Sequence, residues 1–258
     1  MGAEVSGESE FSFDLSALMQ NLERTLDYFA SIPQRKDLVY ENDYHETAVD
    51  PDGNVRSHLD ERDRALTGCS EITSFLHLLE PGKILDFGCG LGWILSDLDN
   101  GWDKYGIEVS QFAAKHASKY GKIFCGDYME FQETNFDVVV LNHVIEHLPK
   151  PEEALAKITT LLKTGGILVI GTPNFDSGAA RRYGEKFRLL NDPTHISLFS
   201  DDSLRRFVRD NGFTIEKVEY PFFDTPWFSE ENLLRLMQLN VISPPFYGSF
   251  MTIFARKN

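Results

Sequence analysis

The sequence predicts an α/β protein built on a doubly wound, mostly parallel sheet of seven strands. Three observations predict it. From residue 83 onward, short apolar runs alternate with helical patterns, the signature of β–α–β units. One run, "FDVVVLN" at 136–142, is apolar almost throughout, as a strand covered on both faces must be. The first run, "KILDF", passes directly into "GCGLGW", a glycine-dense turn where open parallel sheets bind ligands.

Taken in order, residues 1–10 read as a disordered polar tail and residues 11–80 as an N-terminal cap of helices and loop. Within that cap, Leu15, Leu18, Met19, Leu22, Leu26 and Phe29 form one helical stripe that Pro33 closes. The turn-rich "YENDYHETAVDPDGNVRSHLD" reads as irregular loop, and a second helical pattern runs to about residue 79 before Pro81-Gly82. The main domain then spans 81–258, with insertions at about 174–200 and 221–247. Its strands are "KILDF", "KYGIEV", "KIFCGD", "NFDVVVLN", "ILVIGTPN", "TIEKVEY" and "SFMTIFARK". Between them, "GWILSDLD" starts a helix, and Ser110 caps "SQFAAKHASKY". Pro151, Glu152 and Glu153 open a helix whose Leu155, Ile158, Leu161 and Leu162 face inward and which stops at Gly165-Gly166. Ser200 and Gly212 bracket the last helix of the alternation.

Composition narrows the function. The 258 residues carry a formal net charge of −15, which argues against nucleic acid, because a phosphate backbone needs a basic face. No apolar run reaches the length of a membrane span, and "MGAEVSGESEF" lacks the pattern of a secretory signal. Three cysteines without paired spacing read as reduced thiols, so the expected location is cytoplasmic. The oligomeric state stays open, a homodimer among the options.

The glycine loop separates three cofactor classes. A phosphate loop needs Gly-Lys-Ser/Thr, whereas Gly92 precedes Trp93 and Ile94. A dinucleotide fingerprint counted from Gly88 needs its last glycine where Trp93 stands, which disfavours a nicotinamide-dependent oxidoreductase. What remains is G-x-G-x-G preceded by Asp86, a loop able to pass closely along a small zwitterionic ligand.

With these residues the chain resembles the class I S-adenosylmethionine-dependent methyltransferases, whose fold is Rossmann-like. "LDFGCGLG" resembles their first motif, "YGIEV" the second, "CGDYMEF" the adenine-side motif, and "FDVVVLNHVIEHLPKPEEAL" with "LLKTGGILVIGTPN" the strand-four and strand-five motifs. The resemblance spans roughly residues 80–220 and implies S-adenosyl-L-methionine as cofactor. It implies a cofactor site of Asp86, Gly88, Cys89, Gly90, Gly92, Glu108, Val109, Asp127, Tyr128 and Asn142. Glu108 would accept hydrogen bonds from the ribose diol and Asp127 from the adenine amine; Cys89 reads as a small buried hydrophobe. "YGEKFRLLNDPTHISLFS" is similar to methyltransferases of glycan and small-molecule biosynthesis and, more distantly, of ubiquinone biosynthesis. That implies a small-molecule acceptor such as a sugar or nucleotide sugar. The alternative is a catalytically silent protein that keeps the cofactor fold.

Methyl transfer to oxygen calls for a base that titrates near neutrality. His143, at the carboxyl end of strand four, and His195, in the insertion after strand five, are the catalytic candidates; His147 reads as structural. His143, Glu146 and His147 also have metal-ligand chemistry, but the expected site has no metal. "ARRYGEKFR" is either an anion site or a solvated lid helix, the latter being simpler. The aromatic segment 221–248 fits a pocket wall, a dimer face or added core.

Overall fold

A computed structural model describes residues 48–49, 55–192 and 194–258. The tail at 1–10 and the helix at 14–31 lie outside the described residues, as does Pro193. Inside the segment read as loop, β1 (Ala48–Val49) pairs antiparallel with β2 (Val55–Arg56). The second helical pattern is two helices, α1 (Arg62–Gly68) and α2 (Ser70–His77).

The sheet and its helices follow: β3 (Lys83–Phe87), α3 (Trp93–Asp97), β4 (Asp103–Glu108), α4 (Gln111–Ala117), β5 (Lys122–Cys125), β6 (Phe136–Asn142), α5 (Pro151–Leu161) and β7 (Leu162–Pro173). After these come α6 (Gly178–Tyr183), α7 (Asp201–Asp210), β8 (Phe213–Glu219), α8 (Glu230–Arg235) and β9 (Phe250–Lys257). The seven strands lie in the order β5-β4-β3-β6-β7-β9-β8. β3 through β7 pair in parallel, and β9 is antiparallel to both β7 and β8. The chain winds outward from β3 to β5, then returns to β6 beside β3. The crevice at the carboxyl ends of β3 and β6 is therefore the topological switch point.

The uninterrupted apolar run of β6 now has its cause. Val139 and Leu141 pack on one face with Leu155 and Ile158 of α5, whereas Val138 and Val140 pack on the other with Ile84. Ile72 and Leu76 of α2 share that second cluster, so α2 covers the sheet itself. Ser110 caps α4 by accepting from Ala113 N, and Ser200 caps α7 in a reciprocal pair with Ser203. One boundary differs from the sequence reading: α5 ends at Leu161, and β7 begins at once because Leu162 is extended and pairs with Phe136. Gly165, at φ +74, lies within the strand rather than stopping the helix. Among the described residues no helix is long and apolar enough to cross a membrane.

Candidate active site

The loop after β3 is built on left-handed backbone: Gly88, Gly90 and Gly92 have φ of 77°, 51° and 79°. A side chain on Gly88 would strike Val144, its Cβ only 2.6 Å from Val144 Cγ2. A Cβ on Gly90 would meet nothing within 4 Å, because that residue faces open cavity. Glycine is thus demanded by dihedral and contact at one position, and by dihedral and open ligand space at the other. Gly92 starts α3, close against Ala117.

Glu108, at the end of β4, holds this loop in place. Its Oε2 accepts from Gly90 N and its Oε1 from Ser110 N, both at 2.8 Å. Each oxygen still has a second lone-pair direction. Asp86 is 3% exposed; burial first, then the Glu108 charge, pushes its carboxyl up to about 7. Burial likewise raises the Cys89 thiol, whose ionised form is the reactive one, so Cys89 is packing. Asp127 is exposed and accepts from Met129 N, while Tyr128 packs against Phe87 with ring centroids 5.1 Å apart.

Two cavities meet at the loop. The β4-side cavity, about 630 Å³, is lined by Gly88, Gly90, Glu108, Val109, Asp127 and Tyr128. The β7-side cavity, about 340 Å³, is lined by Asp86, Cys89 and Asn142, and opposite them by Arg64, Glu71 and Trp227. Gly88, Gly90 and His143 border both. The structure therefore brings the predicted cofactor residues around two cavities that share Gly88, Gly90 and His143 as lining, with Gly92 at the start of α3.

His143 ends β6 in left-handed backbone, φ 54°. Its Nδ1 lies 3.1 Å from Oε1 of Glu146, whose side chain is fully buried and whose Oε2 accepts from Thr172 Oγ1 at 2.9 Å. The imidazole is 43% accessible because it borders both cavities, although it sits deep in the chain. Burial works against its cation, but the Glu146 hydrogen bond and the Glu146 and Glu71 charges win, so its pKa is raised. Burial opposes the Glu146 carboxylate too, yet pairing with His143 leaves that carboxyl below its ordinary range.

His195 is placed differently. It lines neither cavity, its side chain is 8% accessible, and its Nδ1 lies 2.6 Å from Leu189 O. His147 stacks beside it, ring centroids 4.9 Å apart, with Nδ1 on Thr194 O. Ile196 N and Ser197 N both donate to Glu146 O, strapping this segment to the turn after β6. Glu146, His147 and His195 place one ligand atom each within 4.8 Å of one another, a grouping that leaves out His143. His143 and Thr172 already engage one lone pair on each Glu146 oxygen. Chelation by EDTA is accordingly expected to leave activity unchanged; loss of activity with recovery on adding a divalent ion would make the cluster a metal centre.

The basic stretch lies away from both cavities: Arg181 pairs with Asp176, and Lys186 donates to Asn240 O. The aromatic segment packs largely on itself, Phe222 against Phe223, Phe228 and Phe246, and lends Pro221 and Trp227 to the β7-side wall. Trp227 and the α1–α2 residues Arg64 and Glu71 were not singled out from sequence. A charged residue in the first turn of α2 was the available signal for Glu71, but it reads equally well as dipole compensation.

Comparison with known proteins agrees with this geometry. A family described as "Methyltransferase domain" matches residues 60–218, more than half of the chain. An uncharacterized protein of Methanocaldococcus jannaschii is 30% identical over 157 residues, 60% of this chain and 75% of that relative. A ubiquinone biosynthesis O-methyltransferase of Methylococcus capsulatus is 29% identical over 154 residues, 53% of this chain and 65% of the enzyme. A SAM-dependent methyltransferase from Archaeoglobus fulgidus shares the fold with a TM-score of 0.56 at 23% identity, over 77% of this chain and 98% of that one. The chain belongs to the methyltransferase-domain family. It is an S-adenosylmethionine-dependent methyltransferase.

Proposed function

We propose that the enzyme methylates an oxygen of a small-molecule acceptor, with His143 removing the proton. The observation that carries this reading is that His143 borders both cavities at the glycine loop. The residues fit the cofactor: Gly90 opens onto cavity space, Glu108 keeps free lone pairs for a ribose diol, and Asp127 and Tyr128 offer a hydrogen-bond acceptor and an apolar face for adenine. Asp86 and Asn142 lie on the β7 side, where the methionine end would be held. Bound there, S-adenosylmethionine supplies an electrophilic methyl group.

The protein's share is alignment, exclusion of water and one proton transfer. Glu146, an acceptor when ionised, fixes the proton of His143 on Nδ1 and leaves Nε2 to take the acceptor's proton. Thr172 holds Glu146 from the far side. His195 and His147 then serve as pins between the 194–197 segment and the turn beneath it.

The test is a methyl-transfer assay over phenols, nucleotide sugars and amines with mass detection of product, alongside thermal melts. S-adenosylhomocysteine should raise the melting temperature, since a ligand bound only to the native state stabilises it. Methylated phenol or sugar is the expected product. Transfer to amines alone would replace the oxygen reading.

A further inference from the structure

Two threonine–glutamate pairs flank His143, one on each face of the sheet. Thr172 of β7 lies on the α5 face, alternating with Leu168 and Ile170, and donates to Glu146, the partner of His143 Nδ1. Thr252 of β9 lies on the α2 face, in step with Phe254, and donates from Oγ1 to Oε1 of Glu71 at 2.7 Å. Register brings this second pair to the histidine. Gly171 of β7 stands opposite Thr252, and its carbonyl accepts from His143 N at 2.9 Å. Phe250, on the same face of β9 as Thr252, meets the His143 ring edge-on with centroids 5.2 Å apart.

Glu71 offers this site its charge and nothing else. Among the described residues, its Oε2 is the one buried side-chain nitrogen or oxygen without a hydrogen-bond partner, and an oxygen closed to solvent is closed to a ligand too. Burial raises the Glu71 pKa; the Thr252 and backbone hydrogen bonds and the His143 charge lower it, and Glu219 of β8 raises it. On His143, burial disfavours the cation, and the Glu146 hydrogen bond and charge, followed by the Glu71 charge, favour it. His58, Glu61, Arg64 and Asp86 are the other charged or titratable groups of this kind on the β7-side cavity. Glu108, Asp127, Tyr128 and His147 are those on the β4 side. All of these stay in place in the variants below, so their fields are common to each measurement.

We propose that Glu71 is a positioning residue for the reaction: held by Thr252 out of reach of any ligand, its carboxylate stabilises the imidazolium formed when His143 Nε2 takes the acceptor's proton. In that step the acceptor's O–H bond breaks, the proton passes to Nε2, and the electron pair stays on oxygen. The proposal deepens the reading of His143 as the base and rests on it.

Glu71→Gln keeps an amide oxygen for Thr252 and removes the charge. The first readout is NMR titration of the His143 imidazole in the ligand-free protein, its signal assigned by its loss in His143→Ala. Without the carboxylate the cation is less stable, so the midpoint should fall by about half a unit, less than the roughly 1–3 units of a charge in direct contact. The midpoint of the kcat–pH profile should fall with it, and kcat above that midpoint should drop about 3-fold, the same half unit read as a rate. Acceptor KM and the affinity for S-adenosylhomocysteine should stay within about twofold. In a His143→Ala background the same substitution should alter residual turnover by less than about twofold, since the effect runs through the imidazole. Should Glu71→Gln fail to fold, Glu71→Met fills the space with an apolar chain and is read in the same way. An unmoved or raised His143 midpoint overturns the proposal, as does a kcat loss that persists in the His143→Ala background. Near-normal turnover in His143→Ala would instead count against the base reading itself, whatever the titration of His143 shows.

Discussion

Replacing His143 with alanine is expected to cut turnover by roughly 10²–10⁴-fold while the affinity for S-adenosylhomocysteine stays within about twofold. The split follows from what each group touches. The glycine loop, Glu108 and Asp127 surround the β4-side cavity without needing the imidazole, whereas among the described residues His143 is the one histidine that borders both cavities; His58 lines the β7 side alone, and His147 lines the β4 side with its Nδ1 on Thr194 O. The pH profile adds a second reading of the same residue. Pairing with Glu146 raises the His143 pKa above its ordinary 6.5, so the neutral, basic form is gained later as pH rises. Wild-type kcat should therefore climb with pH through a midpoint above 6.5. The native state shows the complementary sign: the stabilisation from the charged pair is full below the unfolded histidine pKa and is lost as pH rises through the raised one. Glu146→Gln keeps volume and removes the charge, so it should move the kinetic midpoint down. His195→Ala should instead raise the acceptor KM with a smaller loss of kcat, as a pin on the 194–197 segment would. Near-normal turnover in His143→Ala across neutral pH would leave positioning as the whole of catalysis and favour an amine acceptor.

The fold was legible because its signals are local. Alternating periodicity, the β6 run and the caps at Ser110 and Ser200 each depend on residues within a few positions of one another. The insertion of β9 between β7 and β8 was not, since an apolar strand carries no mark of which neighbour it pairs with or in which direction. The start of β7 at Leu162 was hidden for a similar reason: pairing with Phe136, a tertiary event, overrides the stop signal of Gly165-Gly166. In the site, residues fixed by one loop were readable. Residues brought in from afar were not. Glu71 meets Thr252 across 181 positions, and Thr172 reaches Glu146 across 26, so neither spacing forms a motif. His143, at a strand end, and His195, in the insertion after strand five, stood as equal candidates for the base; the cavity lining and the packing of the 194–197 segment separate them.

Glu108→Ala is expected to weaken S-adenosylhomocysteine binding by about 1.5–3 kcal/mol, roughly 10- to 150-fold, the range for hydrogen bonds to a charged group. The contacts of this carboxylate place the loss in two steps. The first is direct, since its remaining lone pairs face the β4-side cavity where a ribose diol would donate. The second runs through the backbone: Gly90 N and Ser110 N lose their acceptor, and a glycine loop held in left-handed dihedrals is freed from its tie to β4. Against these losses stands one gain. The Glu108 charge helps hold the Asp86 carboxyl near 7, so its removal lets Asp86 ionise more readily and relieves like-charge repulsion in the native state. The melting temperature of the ligand-free variant should therefore change less than its affinity does. Glu108→Gln separates the steps, because its amide oxygen can still accept from one backbone N–H while the charge is gone. It should retain part of the affinity and most of the loop order, measured as titration calorimetry beside amide exchange at Gly90. Equal affinities in wild type and Glu108→Ala would take Glu108 out of the ligand site and leave it as a brace for the loop alone.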